Sequence, residues 1–323
     1  MHLSKFFKGY IIIKNQFGGY KMFISMLNLQ LTLLMLIAVG FFVRKIKIID
    51  ERVQSRLSDL LIYVILPCNI VNSFMGDAEI SAEFAHNCIY AFLISFVIQL
   101  FSTVFGRLLF KKYPKEDANV LAYGIICSNS SFIGIPVVES IYNSVGVMYT
   151  SIFQIPIRIT MWSAGLSLFT SVEKKDVLRK IVKHPCIIAV VIGVLFMAFN
   201  VHLPIFLGNT IGYISKCTTA VSMILIGSIL TETNRNNILS KEVFYYSFLR
   251  LIVMPFIVLF ILKALNIDPM LIGISTLLTA MPAGSTTAIL AEKYGCNAEL
   301  ASGTIFVSTI LSIVSIPIIS MFI

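Results

Sequence analysis

Ten stretches of mostly apolar residues run along the chain, separated by short polar connections. They fall at about 27–43, 57–75, 84–108, 119–141, 147–170, 185–201, 208–230, 243–263, 270–291 and 298–321. A bilayer core roughly 30 Å thick needs roughly 20 residues of helix to cross it. The pattern therefore predicts an all-α polytopic membrane protein with ten transmembrane helices. No connection is long enough for an inserted soluble domain, so the chemistry must lie within the membrane or at its rim.

Two of the ten stretches are interrupted by polar residues, glycine and proline. Span 4 reads Cys127-Ser128-Asn129-Ser130-Ser131-Phe132-Ile133-Gly134-Ile135-Pro136, and span 9 reads Thr279-Ala280-Met281-Pro282-Ala283-Gly284-Ser285-Thr286-Thr287. Proline removes a helical hydrogen bond and collides with the preceding turn, while glycine and serine let the backbone unwind. At membrane depth an unwound backbone survives only inside protein or against a cavity. Half-helix N-termini at such breaks offer free N–H groups suited to a carboxylate. A kink with close small-residue packing is the alternative for either segment.

Both interrupted spans are fourth in a run of five, which divides the chain into an N-terminal extension (1–25), a first five-helix repeat (26–172), a basic linker (173–183) and a second repeat (184–323). Five is odd, so the second repeat enters the membrane inverted, as in many secondary carriers. Weak internal similarity agrees: Gly134 … Tyr142 … Gly146 … Phe153 in the first half, Gly284 … Tyr294-Gly295 … Phe306 in the second.

Charge adds orientation. Lys and Arg crowd the connections after spans 1, 3, 5 and 7, including Arg44, Lys45, Lys111, Lys112, Lys174, Arg179 and Arg235, and Lys293 follows span 9; Lys263 stands alone in the opposite connections. The positive-inside rule makes the basic side cytoplasmic and places both termini outside that compartment. The basic segment before span 1 disagrees. It is expected to be an over-long start, with the true one at Met22 or Met26, or else a surface anchor. The net charge of +9 is mostly this topological signal, and a nucleic-acid partner is not expected.

Composition agrees with the class: 57% hydrophobic and 13% charged residues, mean hydropathy +0.90, where soluble domains carry about 25% charged residues. The surplus apolar surface faces lipid. The six cysteines and four histidines (His2, His86, His184, His202) are scattered, without metal-ligand spacing. No cofactor and no metal is predicted, and an intramembrane enzyme has no convergent titratable set to build on.

Ionisable residues inside spans are the exceptions worth weighing. Arg158, in the middle of span 5, is read as the ligand of a substrate carboxylate, because guanidinium offers two parallel hydrogen bonds. The structural alternative is a pair with Glu139 or with free carbonyls of a broken helix. Arg250 lies nearer an end, where a structural role is as good a reading. Glu139 and Glu292 could bind a coupling proton or ion, although solvation at helix ends also explains them. Asn69 and Asn72 line a pore or bond a neighbouring helix.

The sequence resembles the auxin efflux carrier family, which includes plant PIN-type exporters and bacterial dicarboxylate or malonate carriers. The likeness rests on Asn129-x4-Gly134-Ile135-Pro136, on Met281-Pro282-x-Gly284 … Ala291-Glu292-Lys293-Tyr294-Gly295 and on Ser308-Thr309 … Ile316-Pro317, and spans 22–323. The resemblance implies two inverted five-helix repeats with broken helices 4 and 9 crossing, and an anion site beside the crossing. It further implies elevator-type movement of spans 3–5 and 8–10 against spans 1, 2, 6 and 7, and a homodimer. Asn129 matches a substrate-contacting Asn of PIN-type members. The chain departs from them at Thr287, near which they resemble it with a second crossing proline, at Arg158, where they carry Gln, and between Thr170 and His184, where many plant members have a long loop. The extra cation points away from auxin and toward a dicarboxylate.

The expectation is thus a permease moving a small organic anion across the cytoplasmic membrane by alternating access. The expected binding residues are Asn129, Ser130, Ser131, Gly134, Pro136, Arg158, Gly284, Ser285, Thr286 and Thr287, with Glu139 and Glu292 as coupling candidates. A sodium-coupled symporter of the bile-acid type and a non-transporting receptor remain as alternatives.

Overall fold

The computed structural model describes residues 24, 26–75, 82–170, 173–199, 201, 203–231 and 240–323. The expected over-long start, together with His2, His202 and Arg235, lies outside the described residues. Among those described, all regular structure is helical, with one isolated bridge between Ser128 and Ala283.

The helices, in chain order, are α1 (Met26–Lys45), α2 (Glu51–Phe74) and α3 (Ala82–Leu109). Then come α4 (Lys115–Ile126), a helical stretch α5 (Ser130–Leu168), α6 (Lys174–Val182) and α7 (Pro185–Ala198). The remainder are α8 (Ile205–Leu230), α9 (Lys241–Ala264), α10 (Pro269–Thr279), α11 (Thr286–Lys293) and α12 (Ala298–Ser320). Local chemistry starts them. Asp50 accepts from the Val53 N–H at 2.7 Å, Asn297 from Leu300 at 2.9 Å, and Asp268 from Met270 at 2.9 Å ahead of Pro269. Each occupies one orphan donor of a first turn, which is why Asp and Asn stand there.

By length and composition seven of these helices can cross a membrane, or eight if the pair α6–α7, bent by 53°, counts as one. The difference from ten has a local cause at each place. Spans 4 and 9 are divided into short helices. Spans 4 and 5 abut inside α5, where Asn143 (φ 52°, ψ −148°) interrupts the helix without an intervening loop. Span 6 is the short α7, with 14 residues.

Burial follows the same division. The long helices and α7 turn large apolar side chains outward, for example Met35, Leu108, Ile188 and Phe260, as a lipid-facing surface requires. The short α10 is enclosed from Leu271 to Thr279, and α4 from Val120 to Ile126. The first half of each broken span is thus enclosed by protein, whereas α11 keeps only Thr287, Leu290 and Ala291 buried.

Two packing features fix this arrangement. The first joins α1 to α8. A Cβ on Gly227 would lie 2.0 Å from the Ile37 carbonyl oxygen, and one on Gly40 would lie 2.1 Å from that of Ile224. The two backbones touch reciprocally, a small-residue contact of the kind that holds membrane helices together where no hydrophobic force separates protein from lipid. Helix α2 packs against α7 and α8, completing one group.

The second feature is Arg250, on α9 and 3% exposed. Its Nη1 donates to the Ile125 carbonyl at 2.9 Å and its Nε to the Met281 carbonyl at 3.1 Å. Both carbonyls belong to backbone that α4 and α10 leave unpaired as they end. The negative ends of two helix dipoles face one buried cation, and among the described residues no carboxylate pairs with it. The sequence alternative that gave a cation to the broken-helix carbonyls holds, but for Arg250 rather than Arg158.

Two outcomes follow. Gly227→Ala forces α1 and α8 apart and costs about 1–3 kcal/mol as overpacking; an unchanged thermal midpoint in detergent would contradict the contact. Arg250→Met leaves two buried carbonyls unpaired, costing about 2–6 kcal/mol at about 1–3 kcal/mol each. The same thermal measurement should show the larger drop for Arg250→Met, with Arg250→Lys recovering only part of it.

Candidate functional site: the crossing of two broken helices

The first break follows from a run with no helical preference. Cys127 is extended (φ −111°, ψ 98°), and Asn129 (φ −79°, ψ 46°) accepts the Phe132 N–H on its side-chain oxygen at 3.3 Å. Asn129 is thus the N-cap of the second half-helix, a role its side chain suits. The widened turn Ser130–Gly134 follows, and Pro136 sits in the first turn of the regular helix beyond it. The proline therefore stands seven residues past Asn129 instead of causing the break. Gly134 packs against Leu278, 2.8 Å from where its Cβ would stand.

The second break runs from Ala280 to Ser285. The two breaks meet as an antiparallel pair: the Asn129 N–H donates to the Pro282 carbonyl at 2.8 Å, and the Gly284 N–H donates to the Cys127 carbonyl at 3.0 Å. A Cβ on Gly284 would lie 3.1 Å from that carbonyl oxygen, so glycine permits the approach. Ser308 on α12 accepts the Ala283 N–H at 3.2 Å while donating to Thr304. Tyr123 donates to Thr286 across the crossing at 3.3 Å. The unwound backbone is thus paired almost residue by residue, as an interior free of water demands.

Arg158 stands beside the first break. It is 9% exposed, and its Nη2 donates to Gln154 Oε1 at 3.0 Å and to Ser131 Oγ at 3.3 Å. Ser131 donates to the same Gln154 oxygen at 2.8 Å, and Gln154 Nε2 donates to the Ser130 carbonyl at 3.1 Å. Arg158 Nη1 lies 2.8 Å from His184 Nε2, at the start of α7. Among the described residues no carboxylate pairs with it. Neither partner foreseen for a structural Arg158, Glu139 or a free carbonyl, is the one found.

The expected site residues therefore divide. Ser130, Ser131 and Arg158 are joined through Gln154 into one buried polar network that starts next to Asn129 in the crossing. Gly284 and Thr286 are in the crossing itself. Thr287 is fully buried, with a hydroxyl that has no partner among the described residues. Ser285 and Glu292 line a separate cavity of about 580 Å³ between α2, α8, α11 and α12, together with Glu51, Gln54 and Asp59. Glu139 belongs to a third group: Asn69 Nδ2 faces both its carboxylate oxygens at 3.4 Å and donates to Ser215 Oγ at 3.0 Å.

Three polar residues that bear on this region or on the spans were missed. Gln154 is a polar residue one turn before Arg158, and that spacing was its signal. His184 directly precedes Pro185, the mark of a helix N-cap. Lys216 lies eleven residues into α8, exposed, with its ammonium 5.5 Å from the Tyr213 ring one turn back. It was the intramembrane cation the charge census should have included.

Comparison with known proteins agrees with this architecture. The chain is 25% identical over 297 residues to an uncharacterized transporter of Methanothermobacter thermautotrophicus, covering 89% of this chain and 95% of the relative. It is 22% identical over 301 residues to the uncharacterized transporter YfdV of Escherichia coli K12, covering 89% and 94%. Over 142 residues, 43% of each chain, it is 26% identical to a "Putative malonate transporter" of Rhizobium meliloti. The sequence profile of the family described as membrane transport protein matches residues 23–320. The chain belongs to that family of membrane transporters, the auxin efflux carrier family its motifs resemble.

Proposed function

We propose that this protein is a secondary carrier that moves a small organic anion, a dicarboxylate of malonate size, across the cytoplasmic membrane by alternating access. The observation that carries the reading is Arg158, buried beside a helix break and lacking a carboxylate among the described residues. An intramembrane guanidinium costs several kcal/mol unless a partner or polar surroundings compensate it. Serine and glutamine compensate it in part; an entering carboxylate completes it with two parallel charge-assisted bonds. Ser131 belongs to that polar network, and Asn129 and the first N–H groups of the second half-helix adjoin it, so a second carboxylate has donors within reach.

Two inverted five-helix repeats account for the architecture. Each repeat's broken helix ends at a tyrosine followed by a residue with positive φ: Tyr142-Asn143 (52°) and Tyr294-Gly295 (66°). The ten spans are then α1, α2, α3, α4 with 130–142, 144–168, α7, α8, α9, α10 with α11, and α12. The scaffold is α1, α2, α7 and α8, joined at Gly40 and Gly227; the moving body holds the crossing. Ser95 on α3 bonds the Phe153 carbonyl, and Arg250 on α9 bonds both broken helices, within that body. With the basic connections cytoplasmic, the 580 Å³ cavity opens to the cytoplasm between scaffold and moving body, while Glu139, Asn69 and Ser215 seal the opposite side. Movement toward the outside must break that seal.

The malonate named for the Rhizobium relative fits a site with one fixed cation and several neutral donors. Sodium coupling, the bile-acid-type alternative, would make binding sodium-dependent.

Trp162 is the chain's one tryptophan and stands one turn from Arg158. Titrating its fluorescence in purified protein with malonate, malate, lactate and a neutral control, with and without sodium, should give a saturable, sodium-independent change with a dicarboxylate. Arg158→Lys should weaken binding at least about 10-fold, or about 1.4 kcal/mol, with thermal midpoint retained. No acid producing a change or a thermal stabilisation would make Arg158 a structural residue and remove the carrier site from this corner.

A further inference from the structure

Resting on that reading, we propose that His184 takes up a proton when the anion binds, so that the carrier moves its substrate together with H⁺. The carboxylate enters between Arg158 and His184 and replaces their direct contact. The ring, then protonated, becomes the second cation holding it.

The argument begins with donors and acceptors. Guanidinium has only N–H donors, so its 2.8 Å contact with His184 Nε2 requires a lone pair there. The Cys186 N–H, however, faces Nδ1 of the same ring at 3.3 Å. A neutral imidazole has one lone pair and one N–H. Whichever tautomer it adopts, one ring N–H is set against another donor. The unliganded ring is mismatched in both directions.

Its surroundings repeat the imbalance. The indole N–H of Trp162, one turn beyond Arg158, is buried and has no acceptor among the described residues. Lys180 on α6 sits 4.9 Å above the same indole ring. Among the described residues, the titratable groups in contact with the ring or next to it in the chain are Arg158 from 144–168, Cys186 on α7 and Lys183 at the end of α6, with Lys180 of α6 over the indole. None is a carboxylate. The corner holds fixed positive charge and surplus N–H groups, with the start of α7 adding a helix dipole of the same sign.

A carboxylate relieves the Arg158 side of this; on the protonated ring Nδ1–H still faces the Cys186 N–H, the longer of the two contacts at 3.3 Å. The carboxylate accepts from Arg158 and from an imidazole N–H, and its charge offsets that of the neighbouring guanidinium. Protonation of His184 is opposed by Arg158 in the empty site and favoured once the anion lies between them. The proton comes from solvent and adds to the ring nitrogen released by Arg158; no covalent bond changes. Burial first, and then the Arg158 guanidinium, hold the empty-site ring down to about 3; the anion has to raise it toward the ordinary histidine value of about 6.5 for a cell to supply the proton.

The sign is fixed. Binding takes up protons wherever the pH lies above the proton affinity of the empty site and below that of the filled one. Anion affinity then rises as pH falls through that window.

The test is the number of protons taken up per malonate bound by the full-length protein in detergent, from calorimetric titrations in buffers of different ionisation enthalpy between pH 6 and 7.5. The titration of malonate itself is common to all proteins compared. Wild type should exceed His184→Gln, which keeps an acceptor for Arg158 but cannot take a proton, by a large fraction of one proton. The affinity of the variant should follow only the ionisation of malonate. Equal uptake in the two proteins overturns the proposal. Should the variant not fold, uptake by wild type no greater than that expected from malonate alone overturns it equally. Binding without uptake leaves the carrier reading standing; absence of binding by malonate removes both.

Discussion

The fold depends on how two helices can end in the middle of a membrane. Each ending leaves carbonyls that no water can reach and that cost several kcal/mol if unpaired in hydrocarbon. Arg250 answers for both at once, bonding Ile125 of one half and Met281 of the other. A single guanidinium has the reach and the donor number for this, and two helix C-termini supply about one unit of negative partial charge between them. The buried cation and the buried carbonyls neutralise each other. The crossing bridge at Asn129–Pro282 and Cys127–Gly284 can then form without any residue left to solvate.

With Arg250 committed to that task, Arg158 is left for another. The two arginines lie in the same half-polar interior, and their partners differ in kind. Arg250 faces backbone carbonyls that are fixed parts of the fold. Arg158 faces Ser131, Gln154 and His184, all neutral side chains, and two of them belong to different helical segments. A cation compensated by neutral side chains alone still gains from an added anion. One already locked between helix ends does not.

Much of this was legible in the chain. The apolar stretches, the polar runs at 127–131 and 279–287, and the buried Arg158 all follow from pattern alone. What was not legible has a common cause. Pro136 looks like a helix breaker, but proline is tolerated in a first helical turn, and the extended Cys127 had already ended the preceding helix. Arg250 binds carbonyls 125 and 31 residues away, and a carbonyl has no signature in a sequence. Glu139 lies near a helix end where solvation is the ordinary expectation, yet Asn69, 70 residues earlier, faces it from another helix. The interruption at Asn143 was not legible either, because a single residue with positive φ breaks the helix without any polar loop to announce it.

The central claim, that an organic dianion crosses the membrane on the surface formed by Arg158 and Ser131, is tested most directly by counterflow. Protein reconstituted into liposomes loaded with unlabelled malonate should concentrate labelled malonate from outside, and a protein carrying Arg158→Lys together with Ser131→Ala should lose that accumulation while still inserting and remaining folded. Absence of counterflow in the wild-type protein, or equal counterflow in the double variant, would contradict it.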